Sequence, residues 1–432
     1  MNSINQKIGK YRWTICSLIF FATTINYLDR QVIGILKPTL STSLGIDEAQ
    51  YGFIIMAFTT AYALGMLVAG RIIDWLGTKI GYALSLIGWS IAAIIHALAK
   101  APFGFGVARG LLGLFEAGNF PAAIKTTAEW FPKKERAFAT GIFNSGANVG
   151  AIVAPLVVPL IAVNWGWQWA FILTGAIGLL WLVFWFIYYE VPEKQKRLSK
   201  AEHDFILSDN EPEEKAQISW FKLLKYRQTW AFFVGKFLTD PIWWFYLYWI
   251  PGWLADVQGG EMSNMTKFGL PIAVIYTATT VGSIFGGWLS SKLISIGWQV
   301  HRARSVTMLL FALLVVPIVF VQAAGIGFWG AIALISLAAS AHQAWSANIF
   351  TTVSDMFPKK AVASVTGIGG MAGAVGGALI AGFAGLVLQF WKNQGNIKTG
   401  YTILFMVAAS AYLIAWVLIN LLAPKMKRVM DL

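Results

Sequence analysis

The chain has 432 residues, 57% hydrophobic and 12% charged, with a formal net charge of +13. An ordinary globular domain carries about 25% charged residues, so the composition excludes a water-soluble domain and describes a polytopic membrane protein. Cys16 is the only cysteine, which excludes an intramolecular disulfide.

A bilayer-spanning helix needs roughly 20 mostly apolar residues. Twelve such runs follow in order: 13–36, 51–75, 79–99, 103–128, 137–160, 168–189, 228–255, 266–290, 304–323, 328–354, 362–390 and 400–422. Lys7, Lys10 and Arg12 before the first run imitate a signal peptide. The run is too long for one, carries Asp29-Arg30 and lacks a small-residue cleavage site, so it reads as a retained first helix.

With the N-terminus placed in the cytoplasm, most of the 33 Lys and Arg fall in cytoplasmic segments; only Lys37, Lys100, Lys267, Lys392 and Lys398 fall outside. This is the positive-inside asymmetry, and it accounts for the net charge without nucleic acid. An even number of spans puts the C-terminus in the cytoplasm too. Residues 191–227 form the one long polar stretch. They read as a cytoplasmic linker between a six-helix bundle at 1–190 and a second at 228–432, with an amphipathic surface helix near Lys200 to Asp209.

The two parts repeat. Phe131-Pro-Lys-Lys134 recurs as Phe357-Pro-Lys-Lys360, and at the same offset Thr140-Gly141 matches Thr366-Gly367, Gly150 matches Gly376 and Glu129 matches Asp355. Gly141, Gly146 and Gly150 line up in the fifth span; Gly367, Gly369, Gly370, Gly373, Gly376 and Gly377 crowd the eleventh. Small residues let backbones approach closely in lipid, for static packing or for helices that rock.

Charges inside the spans carry the functional signal, because a central one costs roughly 2.5–3.5 kcal/mol on insertion scales. Asp29-Arg30 lies in the first span, Arg109 and Glu116 two turns apart in the fourth, and Lys236 with Asp240 in the seventh. Burial and a nearby guanidinium pull on a carboxylate's proton in opposite directions. That suits Asp29 and Glu116 as groups that load and release one. Arg30 suits an anionic substrate, since a guanidinium grips a carboxylate bidentately. Tyr62 and Asn148 are candidate hydrogen-bonding partners or helix–helix contacts. In the seventh span Lys236, Trp244 and Tyr248 are candidate cavity residues between the kinking prolines Pro241 and Pro251, and aromatics with hydroxyls suit a sugar. In the tenth span Trp345, Asn348 and Thr352 share a face with His342 and Ser346 beside it, too polar for lipid, and His342, Trp345 and Asn348 are candidate substrate contacts.

Between the second and third spans, Gly70-Arg-Ile-Ile-Asp74-Trp-Leu-Gly77-Thr-Lys79 reads as a gate latch in which Asp74 pairs in one conformation only. The second half has Gly286 to Lys292 there without the acid, which predicts a latch on one side. The sequence offers no metal cluster, phosphate-binding glycine loop or nucleophile triad, so neither an enzyme nor a bound cofactor is expected.

Asn26-Tyr-Leu-Asp29-Arg30, the Arg109 to Glu116 pattern, and Trp130-Phe-Pro-x-x-Glu135-Arg136-Ala-x-Ala-x-Gly141 resemble the anion:cation symporter branch of the major facilitator superfamily. Two parallel six-helix repeats with substrate at their interface are the architecture that the resemblance implies. Lys236 to Tyr246 and Ala341 to Pro358 look like hexuronate–proton symporters, which take up glucuronate and galacturonate. The resemblance implies an all-α fold of twelve transmembrane helices in two pseudo-symmetric bundles. It implies Asp29 and Glu116 as proton-coupling groups, Arg30 and Tyr62 on the substrate, Arg109 as a modulator of Glu116, and Gly70, Asp74 and Arg109 in gating. The expected partners are an anionic sugar, protons and membrane lipid, for a monomer in a bacterial inner membrane. Another sugar acid (an aldonate or aldarate) or organic anion is the alternative cargo, and a membrane sugar-acid sensor that does not transport is the alternative from another class. Galactonate carriers of this branch have Gln where this chain has Ala147 and Asn where it has Gly370, a departure that leaves the sugar pocket open.

Overall fold

The computed structural model describes residues 9–209, 220–261, 264 and 267–429, apart from the side chains at 133, 134, 136–138, 359, 360 and 363. Part of the linker and the paired lysines of the repeated Phe-Pro-Lys-Lys motif lie outside the described set. The first half contains α1 (Tyr11–Leu44), α2 (Glu48–Leu76), α3 (Thr78–Ile95), α4 (Pro102–Glu116), α5 (Asn119–Trp130), α6 (Lys133–Trp165) and α7 (Trp167–Tyr188). The linker holds α8 (Lys200–Ile206) and α9 (Trp220–Leu223). The second half contains α10 (Arg227–Gln258), α11 (Gly269–Ser295), α12 (Val300–Val315), α13 (Phe328–Met356), α14 (Lys359–Asn393) and α15 (Ile397–Leu422). No strand occurs among the described residues. Helices α4 and α5 are two pieces of one crossing, so the fold is the expected twelve spans in two six-helix bundles.

Eight crossings are apolar enough to read as membrane spans by composition alone. The first, fourth, seventh and tenth crossings (α1, α4 with α5, α10 and α13) are not among them. These four hold Arg30, Glu116, Lys236 and His342, all buried. Polarity that would be costly against lipid is turned toward the interior.

Local chemistry sets the helix ends. Asp47 accepts from the Gln50 amide at 2.8 Å while Gln50 Oε1 accepts from the Asp47 amide at 3.1 Å, a capping box that starts α2. Pro132 and Pro358 hold matching extended backbone (φ −62°, ψ 154° and φ −65°, ψ 153°) directly before α6 and α14. The repeated motif is therefore a helix-start device. Proline suits that position because its missing N–H costs nothing before the first turn.

The repeat extends to contacts. Thr78 Oγ1 donates to Glu129 Oε1 at 2.6 Å, and Arg304 Nε donates to Asp355 Oδ2 at 3.0 Å, each link spanning 51 residues. Arg304 also donates to Ser290 Oγ at 2.6 Å. The second half thus ties its three-helix units with its own ion pair, although it lacks an acid at the position of Asp74.

The linker helix α8 reaches the start of α1. Glu202 accepts from the Tyr11 and Arg12 amides and from Arg12 Nη1, each at 3.1 Å, while Arg12 Nε donates to Glu135 Oε2 at 2.8 Å. A carboxylate on the free amides of a helix N-terminus satisfies donors that have no partner inside the helix.

Within the first half, Gly146 and Gly150 of α6 sit directly against the α1 carbonyls of Phe20 and Thr24. Between halves, α2 and α14 approach closely, and a Cβ on Gly52 would lie 2.9 Å from the Cα of Gly385. Toward the end of the bundle opposite the chain termini, a cluster of charged and polar groups ties the halves together. Lys37 Nζ meets Glu48 Oε2 at 2.8 Å and Asp256 Oδ2 at 3.3 Å. Lys392 Nζ meets Glu48 Oε1 at 3.2 Å, the Glu48 amide donates to Gln389 Oε1 at 2.9 Å, and Tyr401 donates to Asp256 Oδ2 at 3.1 Å. Lys37, expected in a loop, instead lies inside α1, which continues through Pro38 to Leu44. It is 2% exposed.

Candidate functional site

Between the halves, α1 and α4 build a buried charged centre that α2 and α10 cover with aromatic rings. Arg30 Nε donates to Glu116 Oε2 at 2.9 Å, and Nη2 approaches the same oxygen at 2.8 Å. Nη2 also reaches Asn26 Oδ1 at 3.4 Å, while Nη1 makes no hydrogen bond among the described residues. Four rings surround the guanidinium carbon: Tyr27 at 4.7 Å, Tyr62 at 4.9 Å, Phe58 at 5.4 Å and Trp244 at 5.5 Å. Ring faces attract a cation, more strongly once water is excluded. The box holds the cation without using up its donors.

Arg109 lies one helical stretch away on α4. Its Nη2 donates to the Arg30 carbonyl at 2.7 Å and to the Tyr248 hydroxyl at 3.1 Å, and its guanidinium lies 4.5 Å from the Phe58 ring. Tyr51 Oη donates to the Tyr248 carbonyl at 2.9 Å. Arg109 therefore joins the halves at the centre, whereas Asp74 pairs with Lys125 of α5 at 2.7 Å within its own half and stays largely exposed. Gly70, the other expected gating residue, has open space at its Cα.

Several polar atoms at the centre are buried without hydrogen bonds: Glu116 Oε1, Arg109 Nε and Nη1, and Asn26 Nδ2. Buried polar groups ordinarily find partners, so a site with open donors and acceptors is poised for a polar ligand. Asp29 precedes Arg30 in sequence but takes no part in the ion pair. It turns toward the Thr174 hydroxyl of α7 and makes no ion pair among the described residues.

The remaining expected residues fall in different places. Tyr62, Trp244 and Tyr248 join the centre. Lys236 Nζ pairs with Asp240 Oδ2 at 2.7 Å and lies 4.1 Å from the Phe350 ring. His342 Nδ1 and the Tyr412 hydroxyl are 2.5 Å apart, with the imidazole stacked on Trp243 at 5.2 Å. Trp345 meets Tyr412 edge-on at 5.5 Å, and Asn348 Nδ2 donates to the carbonyls of Gly286 and Ala344 at 2.8 and 2.9 Å. The partners of these three all belong to the second half. Asn148 is half-buried on α6. Phe58, Tyr27 and the Lys37 cluster were not singled out in the sequence. Tyr27 lies inside the Asn26 to Arg30 motif and could have been found there.

An apolar groove of about 610 Å³ runs between α2, α3 and α4 past Val68, Ile72, Leu84, Ile91 and Phe115. No charged side chain lines it, and it shares no residue with the charged centre. Among the described residues no group of His, Cys, Asp and Glu could hold a metal ion.

Twelve helices in two related halves, closed at one end and centred on a buried ion pair, define a secondary transporter. A family model described as Major Facilitator Superfamily matches residues 19–381, and the chain belongs to that family. It is 34% identical to the hexuronate transporter of Escherichia coli (strain K12) over 85% of each chain. It is 36% identical to the galacturonate transporter of Dickeya chrysanthemi over 70% of this chain and 89% of that one. Among solved structures, a bacterial homolog of the human lysosomal transporter Spinster, inward-facing and unoccupied, superposes with a TM-score of 0.79 over 99% of this chain and all of that one, at 19% identity. The chain is a membrane transporter, not an enzyme.

Proposed function

We propose that the protein imports hexuronates, galacturonate and glucuronate, together with protons by alternating access in a bacterial inner membrane, with both termini cytoplasmic. The observation that carries this is the Arg30–Glu116 pair in its aromatic box between the halves. Arg30 is the group a sugar carboxylate would seek, and Glu116 occupies it. Protonation of Glu116 removes the competing anion and releases Nε and Nη2 for a bidentate grip on the substrate. Substrate and proton then enter together, because each makes room for the other. Asp29, buried beside the Thr174 hydroxyl and with no cation paired to it among the described residues, suits a second proton carrier, since a buried carboxylate without a counter-charge is costly as an anion. With the termini inside, the Lys37–Glu48–Asp256–Lys392 cluster closes the outer end.

The names of the two relatives support the sugar-acid reading. Gly370 and Ala147, where galactonate carriers place Asn and Gln by resemblance, set this chain apart from the galactonate site. The test is uptake of radiolabelled galacturonate and glucuronate into proteoliposomes with and without an inward proton gradient. Gradient-driven accumulation, competed by the other hexuronate and not by galactose, is the expected result. Accumulation independent of the gradient would refute the coupling, and competition by aldonates alone would move the cargo to that class.

A further inference from the structure

We propose that Asp240, held by Lys236 and given room by Gly373, is the subsite that reads the substrate's ring hydroxyls. The inference rests on the sugar-acid reading above and deepens it.

Helix α10 presents Tyr248, Trp244, Asp240 and Lys236 at intervals of four residues, roughly 6 Å per step along the axis. The first two are fixed by contacts already described. Tyr248 accepts from Arg109, and the Trp244 ring lies 5.5 Å from the Arg30 guanidinium. Asp240 comes one turn further toward the end that carries the chain termini. Gly377 and Gly373 of α14 mirror this spacing: a Cβ at Gly377 would press on the Trp244 ring, and one at Gly373 would fall on the Asp240 carboxylate. The carboxylate is therefore where it is because α14 has no side chain there.

Asp240 keeps 20% of its side chain exposed although it lies in mid-span, while Lys236 keeps 6%. Tyr27 of the opposite half lies within electrostatic range of both Arg30 and Asp240. Asp240 thus lies on the same stretch of α10 as the charged centre, packed on Gly373 of α14 and within range of Tyr27.

The chemistry fits a hydroxylated ring. A carboxylate accepts from hydroxyls and an ammonium donates to them, so an adjacent pair of the two can hold neighbouring hydroxyls of a pyranose. The Lys236–Asp240 pair is neutral as a unit and so does not compete with Arg30 for the anion. A sugar acid whose carboxylate sits on Arg30 can lay its C–H face on Trp244 and place its far hydroxyls one helical turn away, at Asp240. Trp243, adjacent on α10, is taken up by His342 and Tyr276.

The test uses purified full-length protein, binding measured by calorimetry with galacturonate and with cyclohexanecarboxylate, which keeps the ring and the carboxylate and lacks the hydroxyls. Wild type is compared with Asp240→Asn and with Gly373→Ala, whose methyl would displace the carboxylate without removing it. Both variants should bind galacturonate roughly 10- to 100-fold more weakly, the ratio that goes with losing a hydrogen bond to a charged group. Their affinity for cyclohexanecarboxylate should match that of wild type, which also reports that the variants are folded. Equal losses for both ligands, or no loss for galacturonate, would overturn the subsite while leaving the sugar-acid reading intact. A wild-type protein that binds no sugar acid would overturn both.

Discussion

Glu116→Gln tests the central pair most directly. Arg30 and Glu116 keep 4% and 0% of their side chains exposed, at 2.8 Å. Neutralising one partner of a buried pair costs about 3–5 kcal/mol, because the other charge stays buried and unpaired. The glutamine retains an oxygen that can still accept from Arg30 Nε, so the lower end, about 3 kcal/mol, is expected for the empty protein. A substrate carboxylate would supply the missing charge, and ligand at a hundredfold excess over its Kd stabilises by about 2.7 kcal/mol. The two magnitudes nearly match. Thermal unfolding in detergent should therefore show a lower midpoint for the empty variant and substantial recovery with saturating galacturonate. In proteoliposomes the variant should exchange labelled for unlabelled substrate but lose uphill accumulation driven by a proton gradient. Accumulation equal to wild type would refute Glu116 as the coupling group. An unchanged midpoint for the empty variant would refute the energetic account of the pair.

Arg30→Ala should abolish galacturonate binding by calorimetry; retained affinity would move the carboxylate site to Lys236. At the closed end, Lys37→Met and Glu48→Gln should each destabilise, and the double variant should lose less than the sum. Residues in one charge network couple by roughly 0.5–3 kcal/mol, and strict additivity in thermal unfolding would mean that the 2.8 Å contact contributes nothing. Cys16 is 1% exposed, so a maleimide should leave the folded protein unlabelled and react on unfolding. Rapid labelling of the folded protein would contradict the packing of α1 on α6.

Much of this was legible in the sequence because the bilayer imposes strong local rules. A charge within an apolar run stands out without knowledge of its partner, and so Arg30, Arg109, Glu116 and Lys236 could be chosen. The repeated Phe-Pro-Lys-Lys signal could be read because it is identical in both halves. What escaped depends on which face of a helix meets which neighbour. Asp29 adjoins Arg30 in the chain, yet successive helix positions point about 100° apart, and only the structure turns one to Thr174 and the other to Glu116. Lys37 was read as a loop residue because hydropathy falls at Pro38, whereas packing carries α1 on to Leu44. Its partners Glu48 and Asp256 come from separate helices, and no local pattern announces such a meeting. The second half's Arg304–Asp355 link escaped for a related reason: it does the work of Thr78–Glu129 with different residue types.

Part of what fastens the closed end of the bundle is charge rather than apolar packing, and the two kinds of fastening differ in how hard they are to undo. Four ionic side chains from four helices meet there, two of them, Lys37 and Glu48, almost stripped of water, and their mutual attraction does little more than offset that loss. The seal is selective about geometry and shallow in free energy. Four packed leucines at roughly 1.5–3 kcal/mol each would close it far more firmly. Reversing a 99:1 preference already requires about 5.5 kcal/mol of differential binding, more than a small substrate and a proton readily supply. A carrier locked by such a plug would idle. One fastened by Lys37, Glu48, Asp256 and Lys392 can come undone on every cycle.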